Sequence, residues 1–467
     1  MTSTPDLLII GSGSASFAAA IRASELGATV RMIERGALGG TCVNVGCIPS
    51  KALIRAAAAK HAIERRDFDG VRGAIASFDF AAVIAQKDQL VGALRQGKYA
   101  DVLAAYPSVE LARGDARVLP DGAVAVDGEV MRAGRVLIAT GAHPWAPPIP
   151  GLEESGYLTS TSLMTLRALP RRLIVIGAGA IGLELAQAFQ RFGSTVTVLE
   201  ATAQVLPMED VDIATALAGY LRDEGIDVRV GVEVVKVERE GDRYRVLIRH
   251  GAQTIAVEGD QLLVATGRRP NTAGLGLDAA GVELGSRGEV RVDDQLRTTR
   301  AGYFAAGDVV GEPAFVYVAA YAGRVAAENA IGELGVRLDL SVVPRVTFTD
   351  PAVASLGMTE RQARDAGYRV EVASLPMEYV PRALAARDTR GLVKLVADAE
   401  SKRLIGAHIL APEAGDIIQS AALAIRAGLT TEQLASMMYP YLTNAEALKL
   451  AAQTFEKSVK TLSCCAS

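Results

Sequence analysis

The chain has 467 residues, with 49 Lys and Arg against 53 Asp and Glu and a formal net charge of -4 at pH 7. That length allows about three domains with substantial cores, and the mild acidity excludes a basic field for nucleic acid or anionic lipid. Half of the residues are hydrophobic, yet no uninterrupted apolar run reaches spanning length and the opening MTSTPDLLII carries no basic leader, so a cytoplasmic protein without a membrane span is expected.

In chain order, Leu7–Ile10 reads as a buried strand, followed by Gly11-Ser12-Gly13-Ser14-Ala15-Ser16, an Ala-rich helix, a second strand at 29–33 and Glu34. This is the strand-turn-helix unit whose glycines let backbone approach a dinucleotide diphosphate, while the carboxylate accepts from a ribose hydroxyl. Ser16 stands at the third glycine, where small size suffices. Next comes GGTCVNVGCIPSK, holding Cys42 and Cys47, two of only four cysteines. Pro49 marks a first helical turn, which places Cys47 at a helix N-terminus where thiolate is stabilised.

The apolar strand of 136–144 ends in Ala139-Thr140-Gly141, and the 262–270 strand ends the same way in Ala265-Thr266-Gly267. Between them the first unit is repeated. A strand at 173–176 leads to Gly177-Ala178-Gly179-Ala180-Ile181-Gly182, a helix, a strand at Thr195–Leu199, and Glu200. Glu34 follows Gly11 by 23 positions and Glu200 follows Gly177 by 23, so the two units are a diverged duplication. Asp308 then ends an apolar strand in YFAAGDVV. Beyond about residue 335 the pattern becomes α+β, closing in a helix and a polar tail with Cys464 and Cys465. The expected fold is α/β: two Rossmann-like nucleotide-binding units, at 1–145 with 270–335 and at 146–269, plus a C-terminal α+β unit at 336–467.

Together these motifs resemble the pyridine nucleotide-disulfide oxidoreductases, the FAD-containing group of lipoamide dehydrogenase, glutathione reductase and mercuric reductase, over essentially the whole chain. The resemblance implies that the first unit holds FAD, the second holds NAD(P)H, and the third forms a homodimer with a shared active site. By motif, Gly11, Gly13, Ser14, Ala15 and Glu34 would meet the adenosine diphosphate half of FAD. Gly40, Thr41, Thr140 and Gly141 would line its remainder, with Asp308 at the ribityl chain. Gly177, Gly179, Ile181, Gly182, Glu200 and Gly267 would take the nicotinamide dinucleotide. Cys42 would be the interchange thiol and Cys47 the one against the flavin, with Lys51 beside the ring and paired with Glu184.

One departure narrows the chemistry. Disulfide reductases of this family protonate the leaving thiolate with a C-terminal histidine-glutamate pair, but the four histidines here are His61, His143, His250 and His408. In MMYPYLTNAEALKLAAQTF, Tyr439 takes the histidine's place and Asn444 the glutamate's. A phenol with an unperturbed pKa of about 10 is a poor proton shuttle, which argues against lipoamide or glutathione disulfide as substrate. Thiolates instead select soft metal ions. The terminal Cys-Cys and the PYLT segment make the resemblance specific to mercuric reductases. It implies that Cys464 and Cys465 capture Hg(II) from thiol complexes and pass it to Cys42 and Cys47, with Tyr441 lining the path. No separate N-terminal metal module is expected ahead of the first unit, so capture is expected to rest on the tail. Alternatives are a thioredoxin reductase-like enzyme and a flavoprotein that binds soft metal without turnover.

Family members of this branch commonly use NADPH, whose 2′-phosphate calls for arginine near the end of the second strand. Glu200 stands there and 201–210 contain no basic residue. The sequence therefore leans toward NADH, with Arg191, Arg268 and Arg269 as the side chains that could still fold inward.

Overall fold

The computed structural model describes residues 4–65 and 67–462. Its first unit opens with β1 (Leu7–Ile10), four apolar residues buried throughout, as a central parallel strand requires. The chain turns at Gly11 into α1 (Ser14–Glu25) and returns as β2 (Val30–Glu34). It then forms two helices in succession, α2 (Gly40–Val45) and α3 (Cys47–Glu64), divided by Gly46. With β3 (Val109–Arg113), β4 (Arg135–Ile138) and the strand Tyr303–Ala305, a parallel sheet forms in the order Tyr303–Ala305, β4, β1, β2, β3. Because β2 and β4 flank β1 on opposite sides, a crevice opens beyond its C-terminal end, where Gly11 lies.

The second unit repeats this plan with β5 (Arg172–Ile176), α4 (Ala180–Phe192), β6 (Thr195–Leu199), α5 (Val211–Asp223), β7 (Asp227–Arg229) and β8 (Gln261–Val264). The parallel order β7-β6-β5-β8 matches β3-β2-β1-β4 of the first sheet, so the duplication read from the glycine loops extends to topology. Two short strands connect the units, Ala142–Pro144 paired antiparallel with Arg268–Pro270. Trp145, the only tryptophan, sits beside this ribbon. Its backbone N–H donates to Gly267 O at 3.0 Å, and its ring lies 4.6 Å from the Arg269 guanidinium.

The third unit is a five-stranded antiparallel sheet of β9 (Arg345–Thr347), β10 (Ala352–Gly357), β11 (Val370–Pro376), β12 (Leu392–Asp398) and β13 (Leu404–Ala411), in the order β9-β10-β13-β12-β11. Alternation gives each face its own partner. Leu356, Ala407 and Ile409 pack under α6 (Ala414–Arg426) and α7 (Glu446–Gln453). Val353 and Leu410 face the other way, into the core of the second unit. The C-terminal sheet is thus packed directly against α4 and α5. The α/β architecture with two doubly wound units and an α+β unit is the one the sequence leads one to expect.

The helix Val316–Ala330 crosses α1 closely because Gly323 meets Ala15: a Cβ on Gly323 would stand 2.1 Å from the Ala15 carbonyl oxygen. Gly323→Ala should push the helix off the N-terminal turn of α1, at a cost of about 1–3 kcal/mol. A lower unfolding temperature and a reduced flavin-to-protein absorbance ratio in the purified variant are the expected result.

Candidate active site

The first glycine loop is shaped by contact between backbones. Gly11 has φ 116°, in the left-handed region, and a Cβ there would lie 2.3 Å from Ala139 O. Gly40 meets Gly13 so closely that a Cβ on it would stand 2.6 Å from the Gly13 Cα, and Gly39 N–H donates to Ser12 O at 3.1 Å. The start of α2, with Gly40 and Thr41, is thereby docked on the start of α1, with Ser14 and Ala15. Gly13 caps α1 without any side-chain acceptor, which leaves the first-turn N–H groups facing the crevice. Glu34 closes the loop by accepting from Ser12 Oγ at 2.6 Å and from Gly36 N at 2.5 Å. Across the crevice, Thr140 Oγ1 donates to Asn271 O at 2.8 Å and Gly141 turns with φ 69°. Asp308 begins a short 3-10 turn, where burial raises its carboxyl pKa and Arg268, 3.9 Å away, opposes that rise. An uncapped helix N-terminus, glycine walls that a Cβ would fill, and a sunken carboxyl make a crevice that fits FAD.

The second loop repeats the first in a tighter form. A Cβ on Gly177 would be 2.5 Å from Ala265 O, and one on Gly182 would be 2.0 Å from Gly177 O. The third glycine is therefore a steric requirement here. In the first copy Ser16 occupies that position, fully buried, with its hydroxyl lacking a hydrogen-bond partner among the described residues. Gly179 caps α4, again without a side-chain acceptor. Glu200 accepts from Ala178 N–H and from the N–H and hydroxyl of Thr202, each at 2.8 Å. A cleft of ≈ 980 Å³ runs from Glu200 past Ile181 and Gly267 to Asp308. Of the three arginines considered for this cleft, Arg191 pairs with Glu224 at 2.7 Å and with Asp350 at 2.9 Å. Arg268 turns to Asp308, and Arg269 stacks on Trp145.

Cys42 lies on α2 and Cys47 opens α3, both partly buried and both free thiols. Cys47 falls to about 7, first through the hydrogen bond from Cys42 and then through the Lys51 cation, against the effect of burial. Cys42 moves the opposite way, raised by that same hydrogen bond and by burial. Above about pH 7 the pair thus holds one proton on Cys42 and a thiolate on Cys47. Lys51 Nζ reaches Glu184 Oε2 at 2.7 Å, and Glu184, only 5% exposed, accepts from Phe348 N–H at 2.9 Å through its other oxygen. The Lys51 ammonium also lies 4.5 Å from the centre of the Phe348 ring. A helix from each nucleotide unit and a loop of the third unit therefore meet at one carboxylate.

Tyr99 is a neighbour that the sequence gives no means of finding. It sits in a π-helical turn, Gln96–Ala100, with its ring edge-on to Phe17 at 4.8 Å and close against Gly39. Burial raises its phenol pKa, and the nearby Cys42 adds to the rise. Tyr439 packs against the third unit's core, with its phenol raised by burial, and Asn444 donates to Pro412 O at 3.2 Å. Tyr441 stands 58% exposed on the same segment. Cys464 and Cys465 lie outside the described residues. Among the described residues no three His, Cys, Asp or Glu side chains converge on a metal position, so Cys42 and Cys47 form an open dithiol unlike a closed structural metal site.

Residues 5–323 match the pyridine nucleotide-disulphide oxidoreductase family, and residues 343–452 match its dimerisation domain. The chain belongs to this family. Members are FAD-dependent with NAD(P)H as electron donor, and the dimerisation domain fits a homodimer. Within the family the chain is 48% identical over 461 residues to a mercuric reductase from Bacillus cereus, spanning 99% of this chain and 73% of that protein. It is 47% identical over 471 residues to one from Streptomyces lividans, spanning 99% and 98%. Among solved structures, the HOCl-induced flavoprotein disulfide reductase RclA from Escherichia coli superposes with a TM-score of 0.85 at 33% identity, covering 96% of this chain and 99% of that one. No described helix is long and apolar enough to cross a membrane.

In the reduced enzyme, alkylation of Cys47 should rise with pH through about 7 and precede that of Cys42. Lys51→Met removes the stabilising cation and should move the Cys47 profile up by about one unit. Iodoacetamide labelling followed by peptide mapping measures both.

Proposed function

We propose that this protein reduces Hg(II) to Hg(0) at the expense of a reduced nicotinamide dinucleotide, with Cys42 and Cys47 holding the ion as it is reduced. The reading is carried by the near full-length identity to mercuric reductases, combined with a dithiol that has no imidazole assigned to it. His143 is engaged with Asn271 at 2.7 Å and His408 with Met358 O at 3.0 Å, both far along the chain from the thiols. Disulfide exchange needs proton transfer to a leaving thiolate, whereas exchange of thiolates on a soft cation does not.

In this proposal FAD lies along the crevice lined by Gly11, Gly13, Ser14, Ala15, Glu34, Gly40, Thr41, Thr140, Gly141 and Asp308, and supplies the hydride-accepting, electron-donating chemistry when bound. The N-terminus of α1 offsets the diphosphate charge, and Lys51, fixed by Glu184, holds Cys47 as thiolate. The dinucleotide takes the cleft at Gly177, Gly179, Ile181, Gly182, Glu200 and Gly267. Glu200 presents a carboxylate where a 2′-phosphate would sit, Arg191 and Arg269 are engaged elsewhere, and Arg268 lines the cleft at its Asp308 end, away from Glu200. This supports NADH as the preferred donor.

Hg(II) arrives as a complex with two carrier thiolates. Cys464 and Cys465 capture it, and Cys42 and Cys47 then take it over, with Tyr441 beside the path. Each transfer forms one Hg–S bond and breaks another, so the number of sulfur ligands is conserved. At Cys42 and Cys47 the ion gains two electrons, both Hg–S bonds break with the electron pairs left on sulfur, and neutral Hg(0) departs. Overall, NADH and Hg(II) yield NAD+, Hg(0) and a proton.

Anaerobic turnover with Hg(II) and excess thiol should consume NADH with a KM at least about tenfold below that for NADPH, since a carboxylate facing a phosphate is repulsive. Elemental mercury should collect in the headspace. A strong NADPH preference would overturn the role given to Glu200, and brisk disulfide reduction without Hg(0) would overturn the activity itself. Replacing Cys464 and Cys465 with alanine should slow turnover of bulky mercury-thiol complexes while sparing small halide complexes, and equal losses for both would remove the delivery role.

A further inference from the structure

A row of polar side chains crosses the C-terminal sheet on the face turned toward the second unit. Register places Arg345 opposite Ser355, Ser355 opposite His408, and His408 opposite Lys394, so all four project from one face. This row meets the end of the loop that joins β6 to α5. Lys394 Nζ holds Asp210 at 2.9 Å and Asp212 at 2.7 Å, with Glu360 at 3.0 Å. Beside it, Arg345 Nε stands 3.5 Å from Glu209 Oε1 without forming a hydrogen bond.

Three buried atoms here have no hydrogen-bond partner among the described residues: Arg345 Nε, Glu209 Oε2 and His408 Nδ1. His408 is fully buried, and its Nε2 faces Met358 O at 3.0 Å. A carbonyl only accepts, so Nε2 carries the proton, and burial keeps the ring neutral by lowering its pKa. The set therefore comprises one donor and two acceptors, the complement of a single water molecule that accepts from arginine and donates to the other two.

The same loop walls the dinucleotide cleft through Ala201, Pro207 and Met208. It is tied to the glycine loop by Leu206 N–H, which donates to Ala178 O at 2.9 Å, and Glu209 N–H donates back to Leu206 O at 2.9 Å. Leu206 itself has φ 45°, an unfavourable conformation for a branched residue that persists only where its surroundings impose it.

We propose that Glu209, Arg345 and His408, joined through one buried water, form a clamp by which the C-terminal sheet holds the 201–209 loop in its dinucleotide-binding geometry. These are positioning residues: none touches the nucleotide, and they act through Leu206 on the glycine loop. The inference rests on the cleft being the dinucleotide site. Releasing the clamp lets Leu206 relax and loosens the wall formed by Pro207 and Met208.

The test uses the FAD-loaded enzyme. Arg345→Leu, on an edge strand, and His408→Leu should each raise the KM for NADH and the calorimetric Kd for NAD+ by roughly fivefold, with kcat at saturating NADH unchanged. His408→Gln keeps an acceptor and should restore most of the affinity. The double variant should lose little more than the worse single one, because both side chains serve one network. Unaltered KM and Kd in Arg345→Leu and His408→Leu, with only a lower unfolding temperature in either, would overturn the clamp. Failure of the unaltered enzyme to bind either dinucleotide would instead overturn the cleft assignment.

Discussion

The arrangement around the dithiol depends on one buried carboxylate. Glu184 is carried by α4 of the second unit, yet its oxygens are spent on Lys51 of the first unit and on the Phe348 N–H of the third. A carboxylate this deeply buried is stable only with such partners, and each partner comes from a different part of the chain. Satisfying one side chain therefore brings α3, α4 and the segment between β9 and β10 together. Because the Lys51 cation adds to the lowering of Cys47 that the hydrogen bond from Cys42 begins, the interaction that assembles the three units also helps hold that thiol ionised.

The two glycine loops illustrate how a duplicated unit diverges within steric limits. Gly11 and Gly177 both answer to a carbonyl oxygen from the neighbouring strand, Ala139 in one copy and Ala265 in the other. The third position is less rigid: Gly182 abuts Gly177 O, whereas the first copy admits Ser16 and leaves its hydroxyl buried without a partner. The uncapped helix ends survive in both copies, as anion recognition by backbone N–H groups demands. The acids have diverged in their contacts. Glu34 is held by Ser12 and Gly36, while Glu200 is turned into its own loop by Ala178 and Thr202.

Much of this was legible in the amino-acid order, because the constraints involved are local. Gly-x-Gly after an apolar strand, an acid 23 positions on, and two cysteines before Pro49 each follow from how closely backbone or thiol must approach its neighbour. The Lys51 and Glu184 pair came from family resemblance alone, since 133 positions separate them. What stayed hidden depends on long-range approach. Nothing around Tyr99 signals that a π-helical turn would set its ring against Gly39. Cys42 was readable as a thiol, but the short helix that carries it depends on docking against the Ser12–Gly13 backbone. The directions taken by Arg191, Arg268 and Arg269 were equally open, because a guanidinium follows whichever carboxylate or ring the folded chain offers.

The ribbon of Ala142–Pro144 and Arg268–Pro270 carries both covalent passages between the nucleotide units, and the chain's single tryptophan is tied to it through its backbone at Gly267 and through its ring at Arg269. A change in the angle between the units would alter the spacing of that stacked pair. The native fluorophore is therefore a built-in goniometer for the junction, readable without labels while the thiols are left untouched.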